Sequence, residues 1–198
     1  MNLEINYDFD YDRKERKSKI VKIILKALLW IVILSGAVAA AWALTTYCVE
    51  LTNMTGNSME ETLLEGDRIL INRMSYINSD PERFDVIVFE KNGKEHSYYG
   101  IRRVIGLPGE KVQIIEGYVY INDEKLEEPY NLEPMNVSGL AGEALILDED
   151  EFFVLGDNRN KSEDSRFTSM GNVAREEIIG KAWIRTNNFG IISKMNKK

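Results

Sequence analysis

The sequence predicts a mainly β protein: an antiparallel β-sheet domain with a small inserted segment, preceded by one N-terminal transmembrane helix. Three observations carry this expectation. Ala27 to Val49 is a run of 23 residues without a charge. Beyond residue 50 the apolar residues fall into short β-branched or aromatic runs separated by turn residues. No amphipathic helical pattern of 12 or more residues occurs in that stretch.

The uncharged run comes first. At 1.5 Å per residue it spans about 34 Å, enough for a hydrocarbon core of roughly 30 Å. Ala39, Ala41 and Ala43 offer A-x-A sites of a cleavable leader, but the apolar region of such leaders is about 7–15 residues, shorter than this run. The expected division is a basic tail over 1–26, an anchor over 27–49 and an ectodomain over 50–198. The tail holds seven Lys/Arg and five acidic residues, whereas residues 50–198 hold 18 and 27. A basic flank marks the cytoplasmic side of a span, so the ectodomain is expected outside the cell membrane, which is crossed once. Trp30, Trp42 and Tyr47 stand towards the ends of the span, where aromatic rings favour the interface. The acidic ectodomain argues against nucleic acid as a partner.

The strands follow in order. Arg68–Ile71, Val86–Phe89, Ile101–Ile105, Val112–Ile115, Tyr118–Ile121, Ala144–Leu147, Phe152–Leu155 and Ile178–Ile184 read as strands. Asn92-Gly93, Pro108-Gly109, Glu116-Gly117 and Gly156-Asp157 read as turns between them. Residues 123–143 are turn-rich and read as the insertion. Cys48 is the only cysteine and His96 the only histidine. An internal disulfide is therefore impossible, and neither a metal nor another cofactor is expected.

Three polar segments carry the chemistry. Ser58 lies in Gly56-Asn57-Ser58-Met59-Glu60-Glu61-Thr62-Leu63, followed by Gly66-Asp67. Next is Arg102-Arg103-Val104-Ile105-Gly106-Leu107-Pro108-Gly109, a strand running into a Pro-Gly turn. Last is Gly156-Asp157-Asn158-Arg159-Asn160-Lys161-Ser162-Glu163-Asp164-Ser165-Arg166, too rich in polar groups to pack as core. In this order, behind an anchor, the segments resemble the bacterial type I signal peptidases, membrane proteases with a serine/lysine dyad, over residues 27 to about 190. The resemblance implies that Ser58 is the nucleophile and that its own N–H contributes to the oxyanion hole. It implies that Met59 faces the substrate and that Ser162 orients the general base. Arg103 with Asp157, and Asp164 with Arg166, are implied as ion pairs stiffening the site. The implied substrates are signal peptides of exported precursors, cut after small residues at the first and third positions before the bond. The lipid bilayer is the other implied partner.

One position departs from that family. Where it has the general-base lysine, this chain has Arg102. Lowering a guanidinium pKa from its ordinary high value to about 8 costs roughly 7 kcal/mol at 1.36 per unit, and guanidinium stays protonated in proteins. Lys94 and His96 lie about 26 and 20 Å up the strand from Arg102 at 3.3 Å per residue. Lys111 lies beyond the Pro-Gly turn, so no substitute base is visible. Glu61 stands where the family has proline, which removes a φ restraint beside the nucleophile. Three readings remain open at this level: an active signal peptidase using Arg102 electrostatically, a catalytically silent relative that assists assembly or export of surface proteins, and an anchored peptidase with another target.

Overall fold

The structure, a computed structural model, describes residues 2–91, 99–129 and 132–192. The chain divides into two units, Met1–Thr46 and Tyr47–Lys198.

The first unit is a helix, α1 (Asn2–Tyr47), of 46 residues. Within it Arg16–Tyr47 is long and apolar enough to cross a membrane. Its apolar side chains are exposed, Trp30 and Leu34 each at 69%. The hydroxyls of Ser35 and Thr45 donate back to the carbonyls of Val32 and of Ala41 and Trp42, so neither presents an unsatisfied donor. The apolar stretch starts before the expected Ala27, because Ile20, Val21, Ile23, Ile24 and Leu25 continue the helix between lysines whose aliphatic stems are themselves apolar. It ends at Tyr47, and Val49, expected inside the anchor, opens the first strand instead.

The second unit contains β1 (Val49–Asn53), β2 (Arg68–Asn72), β3 (Val86–Glu90), β4 (Tyr99–Gly106), β5 (Lys111–Ile115), β6 (Tyr118–Ile121), β7 (Glu124–Lys125), β8 (Leu145–Ile146), β9 (Glu151–Leu155), β10 (Val173–Ala174), β11 (Ile178–Arg185) and β12 (Gly190–Ile191). Short 3-10 turns occupy Gly139–Gly142 and Arg175–Glu177. All eight expected runs are strands, and the paired strands run antiparallel. The large sheet has the order β1-β2-β11-β3-β4-β9-β10 with β12 on β11; the small one is β7-β6-β5-β8. Glu116 and Gly117, both at positive φ (51° and 81°), form the tight turn between β5 and β6. The expected turn at Asn92-Gly93 lies outside the described residues.

Residues 123–143 are less separate than the sequence suggested. β7 pairs with β6, and Met135 and Ala141 enter a core with Ile105, Val112, Ile114, Val119, Ile121, Leu147, Phe153 and Leu155. The segment is part of a lobe built on the small sheet.

β3 fixes the geometry that matters for the site. It lies between β11 and β4 and is buried on both faces. Val86 and Val88 enter one core with Met54, Met59, Leu63, Ile69, Ile71 and Ile101. Ile87 and Phe89 enter another with Tyr76, Val104, Phe152 and Val154. Directly opposed residues of an antiparallel pair share a face. Arg103 pairs with Val86 and Arg102 with Ile87, so the two arginines leave β4 on opposite faces.

Candidate active site

Ser58 sits in a turn between β1 and β2. The Leu63 N–H donates to Met59 O (2.8 Å) and the Thr62 N–H to the same carbonyl (3.0 Å), closing a tight turn with Glu61 at positive φ. Ser58 is 9% exposed and Ser162 6%. The loop after β9 brings them together. Leu155 pairs with Arg103, so Gly156 follows beside Arg102 at the strand's end, and its missing side chain is on the Arg102 face. A Cβ on Gly156 would press well inside van der Waals contact of Ser162 Oγ and of the Ser58 carbonyl. Glycine is required here by close approach rather than by a special φ. The Asn158 N–H donates to Ser58 O (3.0 Å), and the Asn158 amide donates to Glu60 Oε2 (2.9 Å).

Asp157, one residue on, returns to the Arg103 face. Arg103 Nε and Nη2 donate to its two carboxylate oxygens at 2.7 and 2.6 Å, and both side chains are fully buried. Thr62 Oγ1 donates to Asp157 Oδ2 (2.5 Å), while Arg103 Nη1 donates to Phe84 O (2.8 Å). The second ion pair joins Arg166 Nε and Nη2 to Asp164 at 2.8 and 2.9 Å. Asp164 Oδ2 also accepts the Gly156 N–H (3.1 Å), and Arg166 Nη2 donates to Arg159 O (2.5 Å). Each buried charge thus has a bidentate partner and further hydrogen bonds, the condition under which burial is tolerated.

Arg102 is partly exposed, and its guanidinium binds backbone. Nε and Nη2 donate to Glu163 O at 3.0 and 2.6 Å, and Nη1 to Ile101 O at 2.7 Å. It therefore ties β4 to the residue that follows Ser162. Ser162 Oγ is buried with no hydrogen-bond partner among the described residues. A buried hydroxyl without a partner is rare, and the resemblance gives this one the role of orienting the general base. Lys94 and His96 lie outside the described residues. Lys111, as expected, is elsewhere, bound to Asp123.

Two expectations change. Met59, expected to face the substrate, is 0% exposed and packs among Met54, Leu63, Ile69 and Ile71, because the turn that follows Ser58 carries the next side chain into the core. Glu61 is not simply a proline position without its restraint: its φ is +91°, which a proline ring fixed near −65° cannot adopt. Thr62, Gly156 and Asn158 join the site although sequence reasoning assigned them no role. Thr62 and Gly156 were visible as fixed letters of two motifs, but their contacts cross 95 and about 100 residues of chain.

The loop leaving the Ser58 turn is pinned by Asp67. Partial burial pushes its carboxyl up, but the Leu64 N–H, the Asn187 amide and the Arg185 charge together hold it below the usual carboxylate value.

A family model described as "Signal peptidase, peptidase S26" matches residues 27–186. The probable signal peptidase I-2 of Synechocystis sp. is 38% identical over 153 residues, covering 75% of this chain and 68% of that protein. Signal peptidase I P of Bacillus subtilis subsp. natto is 32% identical over 172 residues, covering 83% and 90%. A crystal structure of a signal peptidase I from Enterococcus faecalis V583, 32% identical, covers 52% of this chain and 97% of that one with a TM-score of 0.43.

Proposed function

Since this chain belongs to the signal peptidase family, peptidase S26, we propose that Ser58 is the nucleophile with which it cuts signal peptides from exported precursors. The protein is a membrane-associated serine peptidase. The observation that supports Ser58 is that its carbonyl and the buried Ser162 hydroxyl, which has no partner among the described residues, meet at Gly156. Ser58 Oγ attacks the scissile carbonyl, the new leaving amine departs, and water releases the acyl group from Ser58. Two clusters, Arg103–Asp157–Thr62 and Asp164–Arg166, hold the turn and the loop in register during these steps. Arg102 stays protonated throughout. Its fixed charge, on the face shared with Gly156, favours a developing alkoxide at Ser58, and the Ser58 proton passes through water to the nitrogen of the departing amine.

The cut falls after small residues at the first and third positions before the bond. The helix crosses the bilayer once with the N-terminus cytoplasmic, supported by the basic residues of the first 26 positions. Residues 49–198 form the extracytoplasmic catalytic unit. Replacing Ser58 by Ala tests the central assignment: cleavage of a precursor and labelling by a serine-directed acylating probe should both disappear while folding persists. Wild-type cleavage by Ser58→Ala would refute it.

A further inference from the structure

Thr62 is four residues after Ser58, within the turn closed by the Thr62 and Leu63 N–H groups on Met59 O. Its side chain is buried, and its hydroxyl is held at both ends. The proton goes to Asp157 Oδ2 (2.5 Å), and the oxygen accepts from Arg103 Nη2 (3.3 Å). Asp157 is flanked by Gly156, whose Cα faces Ser58 O and Ser162 Oγ, and by Asn158, whose N–H binds Ser58 O. The 58–62 turn is thus stitched to the 156–158 loop at Ser58 O, at the Glu60 carboxylate and at the Thr62 hydroxyl. The Glu60 stitch is partly exposed; the Thr62 stitch is dry and ends on a carboxylate that Arg103 holds immobile at 0% exposure.

We propose that Thr62 is a positioning residue for the reaction: its hydrogen bond to Asp157 sets where Ser58 Oγ stands relative to Ser162 and the scissile carbonyl. This rests on the reading that Ser58 is the nucleophile. Asp157 does not depend on Thr62 for charge compensation, since Arg103 already binds both of its oxygens. Loss of the hydroxyl therefore frees the turn to pivot about the Ser58 O–Asn158 bond without unpairing a buried charge. A nucleophile displaced by about 1 Å loses on the order of 100-fold in rate.

The test compares Thr62→Val, Thr62→Ala and Thr62→Ser in the full-length protein, with rates normalised to the folded fraction measured by circular dichroism. Thr62→Val keeps the shape and loses the hydroxyl. Its kcat on a precursor should fall at least tenfold with KM within twofold, and acylation of Ser58 by the serine-directed probe should slow in parallel. Thr62→Ala should behave as Thr62→Val, which covers a folding failure of either. Thr62→Ser should recover to within threefold of wild type. Unchanged kcat in the folded Val or Ala variant overturns the proposal, as does a serine variant no better than valine. Ser58→Ala is run alongside: if it cleaves normally, the nucleophile assignment has failed, whereas an inert Ser58→Ala with a fully active Thr62→Val refutes only the role of Thr62.

Discussion

Replacing Arg102 by lysine probes the position where this chain departs from its family. Structurally the change removes the paired donation of Nε and Nη2 to Glu163 O. Hydrogen bonds from a charged donor contribute about 1.5–3 kcal/mol each, and an ammonium can keep one of the two, so stability should fall by about 1.5–3 kcal/mol. Chemically it places a titratable amine on the face of Ser58 and Ser162, whose Oγ then has a partner. Bringing lysine from about 10.4 to about 8 costs roughly 3 kcal/mol, far less than neutralising a guanidinium. A positioned general base contributes roughly 100- to 10,000-fold, which protonated Arg102 does not supply. Part of it is lost to imperfect placement, so at least a tenfold gain in cleavage is expected. The assay is precursor cleavage by purified full-length protein in detergent micelles across pH 6–10. Arg102→Lys should show a rate that rises through a single amine ionisation below its ordinary value; Arg102→Met should show no gain, having no base. If wild type is fast and Arg102→Lys is slower, a base other than residue 102 is acting and the argument fails. If neither turns over, the silent reading replaces the catalytic one.

Other expected outcomes are simpler. Gly156→Ala should abolish cleavage and cost about 1–3 kcal/mol in a denaturant melt, because its methyl group would be forced against Ser162 Oγ and the Ser58 carbonyl; wild-type activity would mean these groups do not meet. Asp67 is depressed in the folded state, so its stabilisation is complete above its unfolded pKa near 3.9 and is lost as pH falls through the lower folded value. Asp67→Asn should therefore be less stable than wild type near neutrality and show a flatter loss of stability below about pH 4; parallel acid curves would refute this. Protease added to intact cells should degrade the chain beyond Val49 and spare the N-terminal tail, and protection of the large unit would reverse the proposed orientation.

The strands were legible because their signals are local. Val86–Phe89 and Tyr118–Ile121 are β-branched or aromatic, and each is buried in the way its neighbours in sequence suggest. The four strands not foreseen are of two kinds. β7, β10 and β12 have two residues each, too few for a periodic pattern. β1 was hidden because Val49 continues an uncharged run, and only pairing with β2 makes it a strand. The Arg103–Asp157 pair spans 54 residues and was legible only through family motifs, whereas Asp164 and Arg166 are two residues apart in one motif.

By itself the sequence determined the long apolar N-terminal helix, the β-rich character of the rest and the arginine at residue 102, because each is a property of one residue or one short run. Only the tertiary structure decided that Met59 is core, that Glu61 occupies a backbone conformation closed to proline, that Thr62 reaches Asp157, and that Arg102 grips Glu163 O while Ser162 Oγ has no partner among the described residues. Those outcomes depend on which face of β4 each side chain takes and on which segment packs against it. Register fixes the faces, and register is set by pairings between strands that are neighbours in space and not in sequence.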